Sequence, residues 1–293
     1  MDTLNQLQTM ETTSWWSRLP KEWKEVFLIN LALNDKEAKD RVRAAQTIRN
    51  HYYTHPRTLY QHLFDKAFVL EQQNPDEDAL LRIIQMEEIL CQYTRITDLN
   101  PLSFLPRLRF LFCHLTEIES IEPLIQSRYL ETLNCAKSAI KDLSKLHQLN
   151  QLQTLICSDT AIQSLEALSD VPNLRILWAE KTNVESLDPI SQTWDLEQIN
   201  VSFTQISDFR PLALLSKLKV IRAGLSKVRD LSPLSRLYNL EKLYVWGTPI
   251  DSLEPLYALE KLQKLSIPHC KNIREQDIEI FKKAQPKCEV ILR

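Results

Sequence analysis

The chain has 293 residues, 44% of them apolar and 25% charged, the balance of a folded, soluble protein rather than a disordered one. Lys plus Arg number 36 and Asp plus Glu 38, so there is no bulk field to recruit nucleic acid or an anionic membrane, and any partner has to be recognised locally. Two glycines, Gly224 and Gly247, are too few for a GxGxxG or Walker loop, which excludes nucleotide cofactors held by those routes.

The chain begins MDTLNQLQTMETTSWW, without the basic-then-apolar layout of an export signal, and no run of 18 apolar residues follows, so a cytoplasmic protein without a membrane segment is expected. Residues 1–85 carry helical signals and are read as an N-terminal cap or small domain. Pro20 suits the first turn of a helix through LPKEWKEVFLINLALN, where Trp23, Phe27, Leu31 and Leu33 lie close to one face. An amphipathic stretch, KEAKDRVRAAQTIRNHYY, and another from about Thr58 to Gln72 follow; after Asn74-Pro75 a short helix through DEDALLRII leads onward. Trp15, Trp16 and Trp23 are expected to pack on the open end of the next region, because large aromatics supply the core that a small helical unit lacks. A second docking site is the other reading of the same rings.

From residue 86 to about residue 270 the sequence repeats every 22 residues, nine copies in one register. Column 1 runs from Met86 and Leu108 to Leu262, and column 4 from Ile89 and Leu111 to Leu265. Column 6 holds Cys91, Cys113, Cys135 and Cys157, then Ala179, Val201, Ala223, Val245 and Ile267. Column 9 is Thr or Ser from Thr94 to Thr248, column 11 Ile or Val from Ile96 to Ile250, and column 14 Leu, Ile or Phe from Leu99 to Leu253. Proline fills column 16 at Pro101, Pro123, Pro189, Pro211, Pro233 and Pro255, with Lys145 and Ala167 breaking it. Residues 271–293 are read as a C-terminal cap: a helix over Glu275 to Ala284, then, past Pro286, CEVILR as a last strand or tail with Cys288 buried.

The consensus LxxLxCxxTxIxDLxPLxxL resembles the leucine-rich-repeat family, in the short version with a Pro-Leu pair seen in internalin-like proteins and phosphatase-regulator-like solenoids. The family usually carries Asn in column 9, where this chain carries Thr or Ser. The resemblance implies an α/β leucine-rich-repeat solenoid, right-handed with a parallel concave sheet and an N-terminal helical cap, and it implies protein recognition as the function.

The columns fit that architecture physically. An LxxLxC segment is a short strand whose alternate side chains point to opposite faces, and stacking the strands buries the Leu and Ile columns as one continuous core. Column 9 hydroxyls sit where the chain leaves the strand and are expected to bond neighbouring backbone groups as an Asn ladder would. A return arc of about ten residues is too short for a full helix plus loops, so extended or 3₁₀ structure is expected there, with proline well suited to it.

Columns 4 and 6 point inward, so columns 3, 5 and 7 point out of the sheet. They bring out Phe110, Phe112, Ile156, Ile176, Trp178, Val220, Arg222, Tyr244 and Trp246, with Phe203 and Leu225 flanking in column 8 and Glu180, Lys242 and Lys264 interspersed. Strands about 4.8 Å apart over nine copies give a sheet on the order of 40 Å long, room for a protein partner. Phe110, Phe112, Ile156, Ile176, Trp178, Phe203, Arg222, Tyr244 and Trp246 are therefore the expected partner-binding residues, Trp178 and Trp246 foremost, since aligned aromatics with arginine have the composition of interface hot spots.

No enzyme, cofactor or metal centre is expected. Sulfurs in one column form a line rather than the tetrahedron zinc needs, and with no CxxC the six cysteines are read as reduced core residues. His51 and His55 lack an Asp or Glu at ligand spacing, and no GxSxG or HExxH occurs. Two other readings stand beside the scaffold: an adaptor whose LPKEWKEVFLINL resembles the start of an F-box through Leu19, Pro20, Glu22 and Phe27, though Phe27 falls one residue early, and an enzyme hidden in the helical region.

Overall fold

Each copy of the repeat contributes one three-residue strand, columns 3 to 5. In a computed structural model of the chain, residues 11–32 and 75–293 are described. The strands are β1 (Glu88–Leu90), β2 (Phe110–Phe112), β3 (Thr132–Asn134), β4 (Thr154–Ile156), β5 (Ile176–Trp178), β6 (Gln198–Asn200), β7 (Val220–Arg222), β8 (Lys242–Tyr244) and β9 (Lys264–Ser266), and β10 (Glu289–Ile291) adds a tenth. They form one parallel sheet in sequence order. Pairing follows the 22-residue offset, Ile89 opposite Leu111 and Leu111 opposite Leu133, until β10, where Val290 pairs Leu265. The sheet is open, and its connections are the right-handed crossovers that parallel strands require.

Inside each coil, columns 1, 4, 6, 11 and 14 form the core, and most of its members have no accessible surface at all. The expected return arc is a 3₁₀ turn in each coil, from Asn100–Phe104 through Glu254–Leu256. Column 13 supplies a cap for every one of them. Asp98, Ser120, Asp142, Ser164, Ser186, Asp208, Asp230 and Ser252 each accept a hydrogen bond from the backbone N–H two residues on, at 2.7–3.1 Å. This cap explains why the turn survives at Lys145 and Ala167, where proline is missing: Asp142 and Ser164 still open it, and Leu146 and Leu168 still anchor it in the core.

Column 8 turns the chain out of the strand through left-handed backbone. Tyr93, Leu115, Lys137, Asp159, Lys181, Phe203, Leu225 and His269 have φ of 54–65°, and Gly247 has 65°. A non-glycine residue there costs roughly 1–2 kcal/mol. Two hydrogen bonds offset it. The column 8 N–H reaches the column 7 carbonyl of the next coil, as Phe203 to Gly224 at 2.8 Å, and the column 9 hydroxyl, except that of Ser226, donates to the column 6 carbonyl three residues back, as Thr204 to Val201 at 2.6 Å. The hydroxyls therefore act differently from the expected ladder: all but Ser226 staple their own corner, because a short Thr or Ser side chain reaches its own turn most readily.

At the N-terminal end, residues 11–18 (α1), Lys21–Ala32 (α2) and Glu77–Ile84 (α3) are helical. Asp76 caps α3 by accepting from the Ala79 N–H at 2.8 Å. Trp15, Trp16, Trp23 and Phe27 are buried in the same core as the first coil, and the Trp23 indole N–H donates to the Asp98 carbonyl at 3.1 Å. Asn30 answers the exposed edge of β1: its amide accepts from the Leu90 N–H at 2.8 Å and donates to the Leu90 carbonyl at 2.9 Å, taking the place of a further strand. The helices expected over 36–53 and 58–72, with His51, His55 and His62, lie outside the described residues. At the other end α4 (Glu275–Ala284) drives Phe281 into the core, where it meets Tyr257 at 6.3 Å between ring centroids.

All six cysteines are free and buried. Burial pushes the column 6 thiols far above their ordinary range, Cys135 to about 12, and Cys288 is raised to about 11. At pH 8 the folded chain should consequently leave Cys91, Cys113, Cys135 and Cys157 unreacted with a thiol reagent such as dithionitrobenzoate, and urea should release all four; rapid titration of any of them in the native state would contradict the stacked core.

Candidate protein-binding face

The face opposite the core is built by columns 3, 5 and 7, whose residues alternate with buried column 4 and 6 neighbours along each strand. Phe110, Phe112, Ile156, Ile176, Trp178, Arg222, Tyr244 and Trp246 all stand on it, half-buried, and Phe203 lies at its margin, 40% exposed. They do not form one surface. Phe110 and Phe112 lie on β2, with the Arg109 guanidinium 5.1 Å from the Phe110 ring. Ile156, Ile176 and Trp178 occupy adjoining β4 and β5, Ile156 directly paired with Trp178. The third group, on the last coils, is the most elaborate.

There the Phe203 and Trp246 rings meet edge to face, with centroids 5.3 Å apart. The Arg222 guanidinium sits 4.2 Å from the Tyr244 ring centroid and the Lys181 ammonium 5.4 Å from that of Phe203. Both glycines of the chain belong to this group. A Cβ on Gly224 would overlap Nε1 and Cε2 of Trp246 and lie 2.7 Å from its Cδ1, so the indole rests on bare backbone of the neighbouring coil. A Cβ on Gly247 would lie 2.6 Å from Leu225 Cδ2, and Leu225 is left 46% exposed beside the rings. Beneath, Asn200 donates to Glu180 at 2.5 Å and Ser202 Oγ accepts from the Gly224 N–H at 3.2 Å, which fixes the floor of the cluster.

Sequence reasoning passed over the glycines as site residues, although the register puts Gly224 in the column of Trp246 one coil earlier and Gly247 next to it. It also passed over column 2, which flanks the face with an alternating charge row. Arg109 bridges Glu87 and Glu131, and Glu197 is gripped by Arg175 on one side and Lys219 on the other, the latter at 2.7 Å. The hydrogen bonds from Lys219 and Arg175 lower the Glu197 carboxyl below its ordinary 4.5. Because the folded value is depressed, this contribution is fully present above about pH 4.5 and is lost as pH falls through the lowered value. Both cations are about half exposed and the pairs are screened by solvent, so Glu197→Gln should cost only about 0.2–1 kcal/mol at pH 7 and flatten the acid limb of a urea-midpoint against pH curve; an unchanged limb would show the carboxylate to be uncoupled from folding.

Among the described residues, no group of three or more His, Cys, Asp or Glu is placed to hold a metal ion, and no helix is long and apolar enough to cross a membrane. A shallow groove on the return arc is lined by Ser164, Glu166, Asn183, Glu185, Ser186 and Asp188, of which Ser164 and Ser186 are turn caps.

Neither a scan against protein-family models nor a search of curated proteins finds a match. Solved structures do match. An internalin from Listeria monocytogenes superposes with a TM-score of 0.61 at 21% identity, over 72% of this chain and 68% of its own. Internalin C2 of the same organism gives 0.61 at 25% identity, over 62% and 80%. A leucine-rich-repeat protein of Leptospira interrogans gives 0.68 at 18% identity, over 73% of this chain and 56% of its own length. With its in-register parallel strands, 3₁₀ return turns and these neighbours, the chain is a leucine-rich-repeat solenoid built from short, 22-residue internalin-like repeats.

Proposed function

We propose that the chain is a non-catalytic scaffold that binds a protein partner on its concave face, with residues 1–85 and 271–293 closing the two ends of the repeat array. The observation that carries this reading is the pair of glycines. Elsewhere the chain tolerates left-handed corners without glycine, yet it uses its only two to seat Trp246 and Leu225 on the outer face. A surface needed only for folding has no use for a seated indole half open to solvent. The likeness to internalins and other leucine-rich-repeat structures supports a binding role in general terms.

Anchors of this kind contribute roughly 2 kcal/mol or more each when a partner buries them. Affinity capture from cell extract should therefore recover at least one protein with the wild-type chain that a Trp178→Ala/Trp246→Ala variant no longer holds. Identical sets from the two baits, with the variant still folded by circular dichroism, would remove the concave face from the account. The adaptor reading is less favoured: Leu19 and Phe27, the apolar positions it would present, are sealed in the core that continues into the first coil.

A further inference from the structure

We infer that the occupant of the last coils is an acidic protein segment, one that alternates Asp or Glu with apolar side chains; this rests on the concave-face reading above and names its partner's chemistry. The argument is one of charge left unanswered. Along column 2 the cations Arg109, Arg175 and Lys219 are matched by carboxylates, and at the far end Lys264 meets Glu289 at 3.1 Å. On the face itself the pattern reverses. Arg222 and Lys181 rest on the rings of Tyr244 and Phe203, and among the described residues no carboxylate pairs with either of them or with Lys242. Glu180, next to Lys181 in sequence, takes a hydrogen bond from the Asn200 amide.

In a chain whose formal charge is −2, a local set of uncompensated cations around Phe203, Tyr244 and Trp246 is a selected placement, not a bulk consequence. Cations lying on aromatic faces keep N–H groups free for an incoming carboxylate, and Arg222 offers a planar fork suited to one. The rings supply the apolar contact between successive acids. A single-stranded nucleic acid also likes rings and cations, but binding through phosphates draws on many basic contacts, and here the acidic members of column 2, Glu197 among them, flank a set of only a few.

The test is a random dodecapeptide display library panned on the full immobilised chain, with fluorescent oligothymidine titrated in parallel. Selected peptides should be enriched in Asp and Glu over the naive library, should weaken as salt is raised, and should lose about tenfold or more in affinity to an Arg222→Glu/Lys242→Glu variant, while Arg222→Gln/Lys242→Gln gives a smaller loss and guards against misfolding. Peptides without acidic enrichment that still fail on Phe203→Ala/Trp246→Ala would overturn the acidic partner and leave the concave face standing. Peptides indifferent to both pairs of substitutions would overturn both. Tight binding of oligothymidine, lost in the charge-reversal variant, would replace the acidic segment with nucleic acid.

Discussion

Trp23→Ala is expected to lower the stability of the N-terminal coils by about 3–5 kcal/mol, the cost of emptying a large, fully buried aromatic site. Trp23 is 1% exposed, lies 5.2 Å from Phe27 between ring centroids, and through Phe27 supports Trp15, itself stacked on Phe104 at 5.4 Å. Removing it also orphans the Asp98 carbonyl at the opening of the first return turn. In a stack where each coil touches only its neighbours, damage at one end spreads inward with diminishing effect. Hydrogen exchange should therefore accelerate first at Cys91 and Cys113, and least at Ala223 and Val245. Trp23→Phe, which keeps a ring against Phe27 but loses the indole donor, should fall between the two. A wild-type urea midpoint and unchanged exchange in Trp23→Ala would mean that α2 does not hold the first coil.

Much of this architecture was legible because a solenoid converts period into geometry. Once Leu108 and Leu130 are known to be equivalent, the pairing of Leu111 with Leu133 and the outward turn of Tyr244 follow without any long-range information. What stayed hidden depended on backbone angles or on single contacts. Column 8 carries Tyr, Leu, Lys, Asp, Phe, His and one Gly, and nothing in that mixture announces a left-handed corner; the conformation is imposed by the strand on one side and the column 9 staple on the other. Asn30 reads as one polar residue in the apolar second half of α2, and only the fold brings it onto Leu90. The column 13 caps and the column 2 charge row were within reach of the same register, since every member recurs at the fixed period, but they have mixed residue types and do not stand out beside leucine. For the candidate site, register told which side chains leave the core. It did not tell which of them are braced, and bracing separates the Phe203–Trp246 group from the rest.

Gly224→Ala should weaken partner binding by roughly 30-fold, about 2 kcal/mol, while changing stability by less than about 1 kcal/mol. The position is not a left-handed one, so the backbone accepts alanine, and the new methyl reduces the freedom of the unfolded chain. Its nearest conflict is with the indole, which must lift off the coil and leave its edge-to-face contact with Phe203. The Trp246 indole N–H resonance should accordingly shift, with the other tryptophans unmoved. The decisive comparison is a cycle with Trp246→Ala: if glycine matters only as a seat, Gly224→Ala has no further effect once the indole is gone, and the two losses are not additive. Full additivity would mean that Gly224 serves binding through its own backbone, and unimpaired binding by Gly224→Ala alone would show that the seated geometry of Trp246 is not what a partner reads.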